Sequence, residues 1–308
     1  MKPIKIDWTV WKPRLLYGGF FAAVFLLALR QTFPTEAVKE RLILEAAAQG
    51  WQLDADSLSP AGVVGVSANN LRLEDRNGRK LAAESVALTL RLLPLMVGRR
   101  SVAFDVSIWD GRIRGTADLS GAQRRYTADV EKVDLAAATP LRKATGLELL
   151  GTLSATADVT LPEDAKGKPG GRVTLGVKDA GVNGGQLPVP AMGGSVSLPK
   201  VALGQLTGEI AFEEGRGNVK KLEARGGDAE VSTDGLYFVW QPRLEFSQLF
   251  GRASVKLQDA FWNRSGTAGF RSVAEMALAS AKGRDGGYQF QIFGSVGHPQ
   301  MRPLPSGQ

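Results

Sequence analysis

From Leu71 onward, apolar residues fall at every second position. Leu71 and Leu73 alternate with charges, Val86, Leu88, Leu90 and Leu92 keep the same spacing, and Val102, Phe104, Val106 and Ile108 repeat it after Gly98-Arg99-Arg100. Tyr126, Ala128 and Val130 continue it, followed by runs beginning at Leu153, Val173, Ile210, Leu236 and Tyr288. A period of two gives a strand one apolar and one wet face, the pattern of antiparallel sheet rather than of parallel sheet buried on both sides. The sequence therefore predicts a mainly β protein with an elongated antiparallel sheet body joined by hairpins. Several strands are expected to open on glycine, at Gly151, Gly171, Gly208 and Gly251, and their uneven spacing excludes a strict solenoid.

Helical signals are few. Residues 35–49 (TEAVKERLILEAAAQ) are strong helix formers, with Pro34 before them and Gly50 where a terminating residue belongs. Val38, Leu42 and Ala46 share a stripe, making a short amphipathic helix that can pack on the start of the sheet, the favoured reading, or on the membrane surface. Two further helical patches of about ten residues lie around 135–145 and 271–281. So little helix cannot cover so much sheet. The apolar faces must pack on each other as a sandwich or curl into a trough open to an apolar ligand, with Leu88, Leu90, Phe104, Val106, Leu236 and Phe238 as candidate lining. Residues 181–204 (GVNGGQLPVPAMGGSVSLPKVALG) are Gly/Pro-rich and read either as a connection between a first β-rich region, 34–180, and a second, 205–297, or as a long ordered excursion over the surface. The tail, 298–308, is expected to be frayed.

At the other end, residues 15–29 (LLYGGFFAAVFLLAL) carry no charge and are bounded by Arg14 and Arg30. A bilayer core needs about 20 apolar residues. Flanking arginines that snorkel, with Trp8, Trp11 and Phe33 at the interfaces, extend the span enough for a transmembrane anchor over 15–33. Leu15, Leu16, Phe20, Phe21, Val24, Phe25, Leu26, Leu27 and Leu29 are its apolar body. The run lacks the polar face of a core helix, and Ala28-Leu29-Arg30-Gln31 lacks a signal peptide's small-residue cleavage site. Lys2, Lys5, Lys12 and Arg14 precede it. By the positive-inside rule they keep residues 1–14 in the cytoplasm and send the body across, which in a two-membrane bacterium means an inner-membrane anchor and a periplasmic body.

Composition adds mainly exclusions. The 37 glycines and 15 prolines suit a protein of many turns, and 44% hydrophobic content is enough for a core. Of the net charge of +7, +3 precedes the anchor, and no basic stripe interleaved with aromatics follows, which argues against nucleic-acid binding. The absence of cysteine removes disulfides, thiolate metal sites and a cysteine nucleophile. The one histidine, His298, cannot build a histidine triad or a two-histidine metal site. Asp54/Asp56, Glu74/Asp75, Glu163/Asp164 and Glu213/Glu214 read as solvated turn carboxylates, and no glycine run has a phosphate-loop ending. No cofactor and no enzymatic activity are expected.

Two regions carry a family resemblance. The order anchor, helix, Gly50-Trp51, then LRLEDRNGRKLAAESVALTLRLLPLMVGRRSVAFDVSIWDGRIRG over 71–115, with its Leu93-Pro94-Leu95-Met96-Val97-Gly98 turn, resembles the N-terminal part of AsmA-like bacterial envelope proteins. Leu198-Pro199, Leu203-Gly204-Gln205-Leu206-Thr207-Gly208, Gly227-Asp228, Gly235 and the terminal GSVGHP over 294–299 resemble the type II secretion system protein GspN family. The resemblance implies a non-enzymatic inner-membrane accessory of protein secretion whose partners are other secretion subunits. Its AsmA-like side implies instead an extended β-trough that passes or shelters membrane lipids.

Overall fold

The computed structural model describes residues 35–304, apart from 49, 63, 76–77, 79, 163–166, 190–193, 265–266, 268–270, 273–274, 277 and 284–285. The expected anchor and its cationic flank lie outside the described residues. Among those described, no helix is long and apolar enough to cross a membrane. The chain divides into two compact units, residues 1–98 and 99–308.

The first unit begins with α1 (Thr35–Ala48), which ends as its sequence predicts. Gly50 takes φ +83°, and its N–H donates to the Ala47 carbonyl at 3.0 Å. Strands β1 (Trp51–Asp54) and β2 (Ser57–Pro60) both pair antiparallel with one long strand, β3 (Gly65–Asp75), at successive positions along it. β4 (Lys80–Leu90) pairs along the other side of β3. Helix α1 packs on β1, where Ile43, Ala47, Trp51 and Leu53 line an open depression of about 340 Å3. The Leu-Pro-Leu segment forms a short helix, α2 (Leu92–Met96), followed by Gly98 at φ +76°.

The second unit is an open antiparallel sheet whose strands lie side by side in chain order. They are β5 (Ser101–Ile108), β6 (Gly111–Asp118), β7 (Gln123–Asp134), β8 (Leu147–Pro162), β9 (Gly170–Val189), β10 (Gly194–Glu213), β11 (Arg216–Arg225), β12 (Ala229–Val239), β13 (Gln248–Leu257), β14 (Tyr288–Ser295) and β15 (His298–Pro303). Two short helices interrupt them, α3 (Thr139–Thr145), closed by Gly146 at φ +71°, and α4 (Asp259–Trp262). Of the helix expected around 271–281, residues 271, 272, 275 and 276 are helical, and a 3-10 turn follows at Ala279–Ala281.

The mainly β, antiparallel prediction holds, and three details need correction. Residues 181–204 are not a connection between two lobes. They belong to β9 and β10, 20 residues each, which pair from Val189↔Gly194 to Gly171↔Phe212, and the division between compact units falls at Gly98 instead. Glycines at irregular register hid the alternation, since the β9–β10 pairing slips around Gly204, which has φ +73°. The tail is not frayed from 298, because β15 pairs with β14 from Ser295↔His298 to Phe290↔Pro303, and an edge strand tolerates prolines on its unpaired side. Gly151, Gly208 and Gly251 lie inside strands rather than at their starts. Gly151 has φ +119° and stands where the β8–β9 pairing slips, so close to the next strand that a Cβ would approach the Lys178 carbonyl to 2.7 Å.

Large side chains are seldom fully buried. Among the described residues nine of the seventeen buried apolar residues are alanine, and Phe261 is the one large apolar side chain fully out of solvent. A sandwich would bury its facing Val, Leu, Ile and Phe residues completely; here most of those on the sheet remain partly exposed.

Candidate functional site

Register places the apolar positions of the second unit on one face. Residues directly opposite in antiparallel strands project from the same side. One row runs Val106, Ile113, Val130, Ala155, Leu175 from β5 to β9. A second runs Phe104, Gly115, Ala128, Ala157, Val173, Ile210. A third starts at Val133 and Leu153 and continues through Val177, Leu206, Ala224, Val231 and Val255 to Tyr288. The third row joins the first because β7 bulges between Val130 and Val133, with Lys132 at φ +54°, which returns the next apolar residue to the same face.

This face is closed at two places. Phe212 meets Phe238 edge-on with ring centroids 5.8 Å apart and Trp240 at 6.0 Å, filling the surface over β10 and β12. Elsewhere α4 and the chain after it fold onto the sheet, and Phe261 packs with Val201 and Ala229, flanked by Leu203, Val255, Leu257 and Trp262. This cap is held by a carboxylate. Asp228, almost fully buried, accepts both guanidinium nitrogens of Arg264, one of them at 2.7 Å, together with the Ala202 N–H at 2.9 Å. The buried Thr267 hydroxyl donates within the same turn, to the carbonyls of Arg264 at 2.9 Å and Phe261 at 3.0 Å. Away from the cap and the aromatic cluster, the first two rows remain half-buried.

The opposite face is polar and internally paired. Arg112 binds Asp105 through two nitrogens, Arg114 reaches Glu131 at 3.4 Å, Arg125 binds Asp158 at 2.6 Å and 2.9 Å, and Arg172 reaches Glu209 at 3.4 Å. Hydroxyl pairs Thr116–Thr127 at 2.8 Å and Thr156–Thr174 at 2.6 Å join the same ladder. The hydrogen bond from Arg112 holds the Asp105 carboxyl below its ordinary value, and the one from Arg125 does the same for Asp158. These charges are committed to each other.

Of the six candidate lining residues, Phe104 and Val106 stand on the half-buried rows. Leu236 and Phe238 are on the same sheet but buried, with Phe238 enclosed by the aromatic cluster. Leu88 and Leu90 belong to the first unit, where Leu88 stands opposite Val66 and the Leu90 N–H donates to the Val64 carbonyl at 2.8 Å. Ile113, Val130, Val173 and Leu175 complete the face. Ile113 lies on a strand whose other inward positions are Gly115 and Ala117, so its alternation carried too little apolar bulk to be noticed.

Among the described residues no group of three or more Asp, Glu or His side chains could hold a metal ion. His298 is exposed at the start of β15, its N–H donating to the Ser295 hydroxyl at 3.2 Å. Asp54 and Asp56 both bind Arg72, at 3.3 Å and 2.7 Å, so this carboxylate pair is a turn clasp. Compared with family models, with curated proteins and with solved structures, the chain finds no match in any of the three.

Proposed function

We propose that this chain is a non-enzymatic bacterial envelope protein, tethered to the inner membrane by residues 15–33, whose apolar sheet face binds acyl chains. The observation that carries this reading is the pair of half-buried apolar rows through Val106 and Phe104, on a sheet that no second described layer covers. Such a face gains about 25 cal/mol for each Å2 of apolar surface taken out of water, and extended chains follow its rows without needing directional bonds. Native mass spectrometry of the detergent-extracted full chain tests it. Lipid should accompany the wild-type protein, diminish in Val106→Asp and Leu175→Asp, and persist in Thr156→Asp on the wet face; a wild-type protein free of lipid overturns the reading.

The second reading is a scaffold in type II secretion with other secretion subunits as partners. It is supported by the resemblance at 198–199, 203–208, 227–228 and 294–299, and favoured by the paired polar face, a charged surface suited to protein contacts. Cross-linking in intact envelopes should recover secretion components if this holds, whereas normal release of secreted enzymes after deletion of the gene would count against it. In both readings residues 1–14 are cytoplasmic, the body is periplasmic, and nucleic acid is not a partner.

A further inference from the structure

The first unit carries its barest aliphatic side chains on one turn. In and just after α2, Leu93 is 80% exposed, Met96 82%, Val97 74% and Leu95 41%. Single exposed apolar residues are ordinary on a protein surface, but four within five positions are not. Along the chain the flanking charge has one sign; across the β5–β6 pair stands Asp118, whose carboxyl is held below its ordinary value first by Ser120 and also by Arg99. Arg91 precedes the turn, Arg99 and Arg100 follow it in the chain, and no carboxylate occurs between Glu84 and Asp105. The arginines of the wet sheet face are neutralised by aspartate and glutamate, but this segment contains none. At Gly98, φ is +76° and a Cβ would meet nothing within 4 Å, so the turn stands clear of neighbouring chain there.

An aliphatic tip bracketed by arginines matches one environment in particular. The boundary of an anionic bilayer offers acyl chains to Leu, Met and Val, and phosphates to guanidinium groups a few ångströms above. A groove on a protein would also accept the aliphatics, but it gives no general reason for arginines on both sides. We propose that residues 92–97 form a tip that dips into an anionic lipid surface, with Arg91, Arg99 and Arg100 at the level of its phosphates. This contact is separate from acyl-chain binding on the second unit, and it rests on the proposed envelope location only in having a membrane nearby.

The absence of cysteine makes the test direct. In the full chain, Met96→Cys is labelled with an environment-sensitive fluorophore and mixed with phosphatidylcholine vesicles with or without phosphatidylglycerol, some carrying spin-labelled acyl chains. Spin-labelled lipid should quench the probe strongly in anionic vesicles and weakly in neutral ones. The ratio of inserted to free tip should fall about fivefold for each of Arg91→Gln, Arg99→Gln and Arg100→Gln. Leu93→Asp should abolish quenching, and a probe on Asp234→Cys, on the wet face, should stay unquenched throughout. A tip probe as open to aqueous iodide with anionic vesicles as without them overturns the proposal. So does shielding that requires added envelope protein, which identifies a protein groove instead. Retention of the chain on vesicles after a carbonate wash reports the tether independently, and tip quenching is required whether or not the chain is retained.

Discussion

Phenylalanine rings lie over glycines on neighbouring strands at two places in the second unit. A Cβ on Gly115 would come within 2.4 Å of the Phe104 ring, and one on Gly217 within 2.1 Å of the Phe238 ring. The ring shields a glycine backbone that has no side chain of its own to pack. Gly217→Ala should therefore cost about 1–3 kcal/mol through overpacking. Phe238→Ala should cost about 3 kcal/mol, the low end for a buried phenylalanine because the sheet face around it is partly wet. The double substitution should cost less than the two singles together, and urea titration of all four proteins measures that coupling.

Titration also acts residue by residue. Asp105 and Asp158 are more acidic folded than unfolded, so their pairs with Arg112 and Arg125 contribute stability above the ordinary value of 3.8, which is lost as pH falls through their lower folded values. Asp105→Asn and Asp158→Asn should flatten the acid arm of a plot of urea midpoint against pH. Tyr288 behaves in the opposite sense. Burial, with Glu275 adding to it, raises its phenol above 10.0, so the stability it contributes below that pH is lost as pH rises towards the folded value. A spectrophotometric titration should find a phenol ionising above pH 10.0 in the wild-type protein that is missing from Tyr288→Phe.

At the scale of elements, turns and bulges matter more than strand propensity. The β5–β6 hairpin turns on Trp109 and Asp110, both at positive φ, the primed geometry that matches strand twist but is usually built with Asn-Gly or Gly-Gly. Nothing in a Trp-Asp pair announces it, and β6 was correspondingly hard to read. β11 was hidden for another reason: its pairing with β10 slips between Glu209 and Ile210, so Val219 and Leu222, three positions apart, share the apolar face. The cap around Phe261 precedes the helical patch expected at 271–281 and was not legible, because its holding partner Asp228 lies 36 residues before Arg264. Asp228→Ala should cost about 3 kcal/mol, leaving a guanidinium and the Ala202 N–H without their acceptor. Hydrogen exchange should then quicken across 259–281 while β5 to β8 keep their protection.

At the scale of the molecule, the second unit contains strands β5 to β15 of the sheet, the cap and the buried cluster around Phe261. A chain of residues 99–308 should therefore unfold in urea as one cooperative transition, and loss of that transition would show that the cluster does not suffice. Its consecutive hairpins keep most pairings local in sequence, which favours rapid folding for a β protein. Among the described residues, the same topology leaves an apolar face that is partly covered, after β13, by α4 and the turn around Arg264.

The amino-acid sequence alone determined the antiparallel β class, the apolar and polar faces of most strands and the termination of α1 at Gly50. Those properties depend on neighbours one to four positions away, so periodicity records them. Tertiary structure decided how β9 and β10 pair through a Gly/Pro-rich run, that β15 is a strand, and which apolar residues are covered. Phe104 and Phe238 obey the same alternation, yet one lies on a half-buried row and the other within an aromatic cluster. The difference comes from Phe212 and Trp240 closing around Phe238, and contacts made by other strands leave no mark on a residue's own spacing.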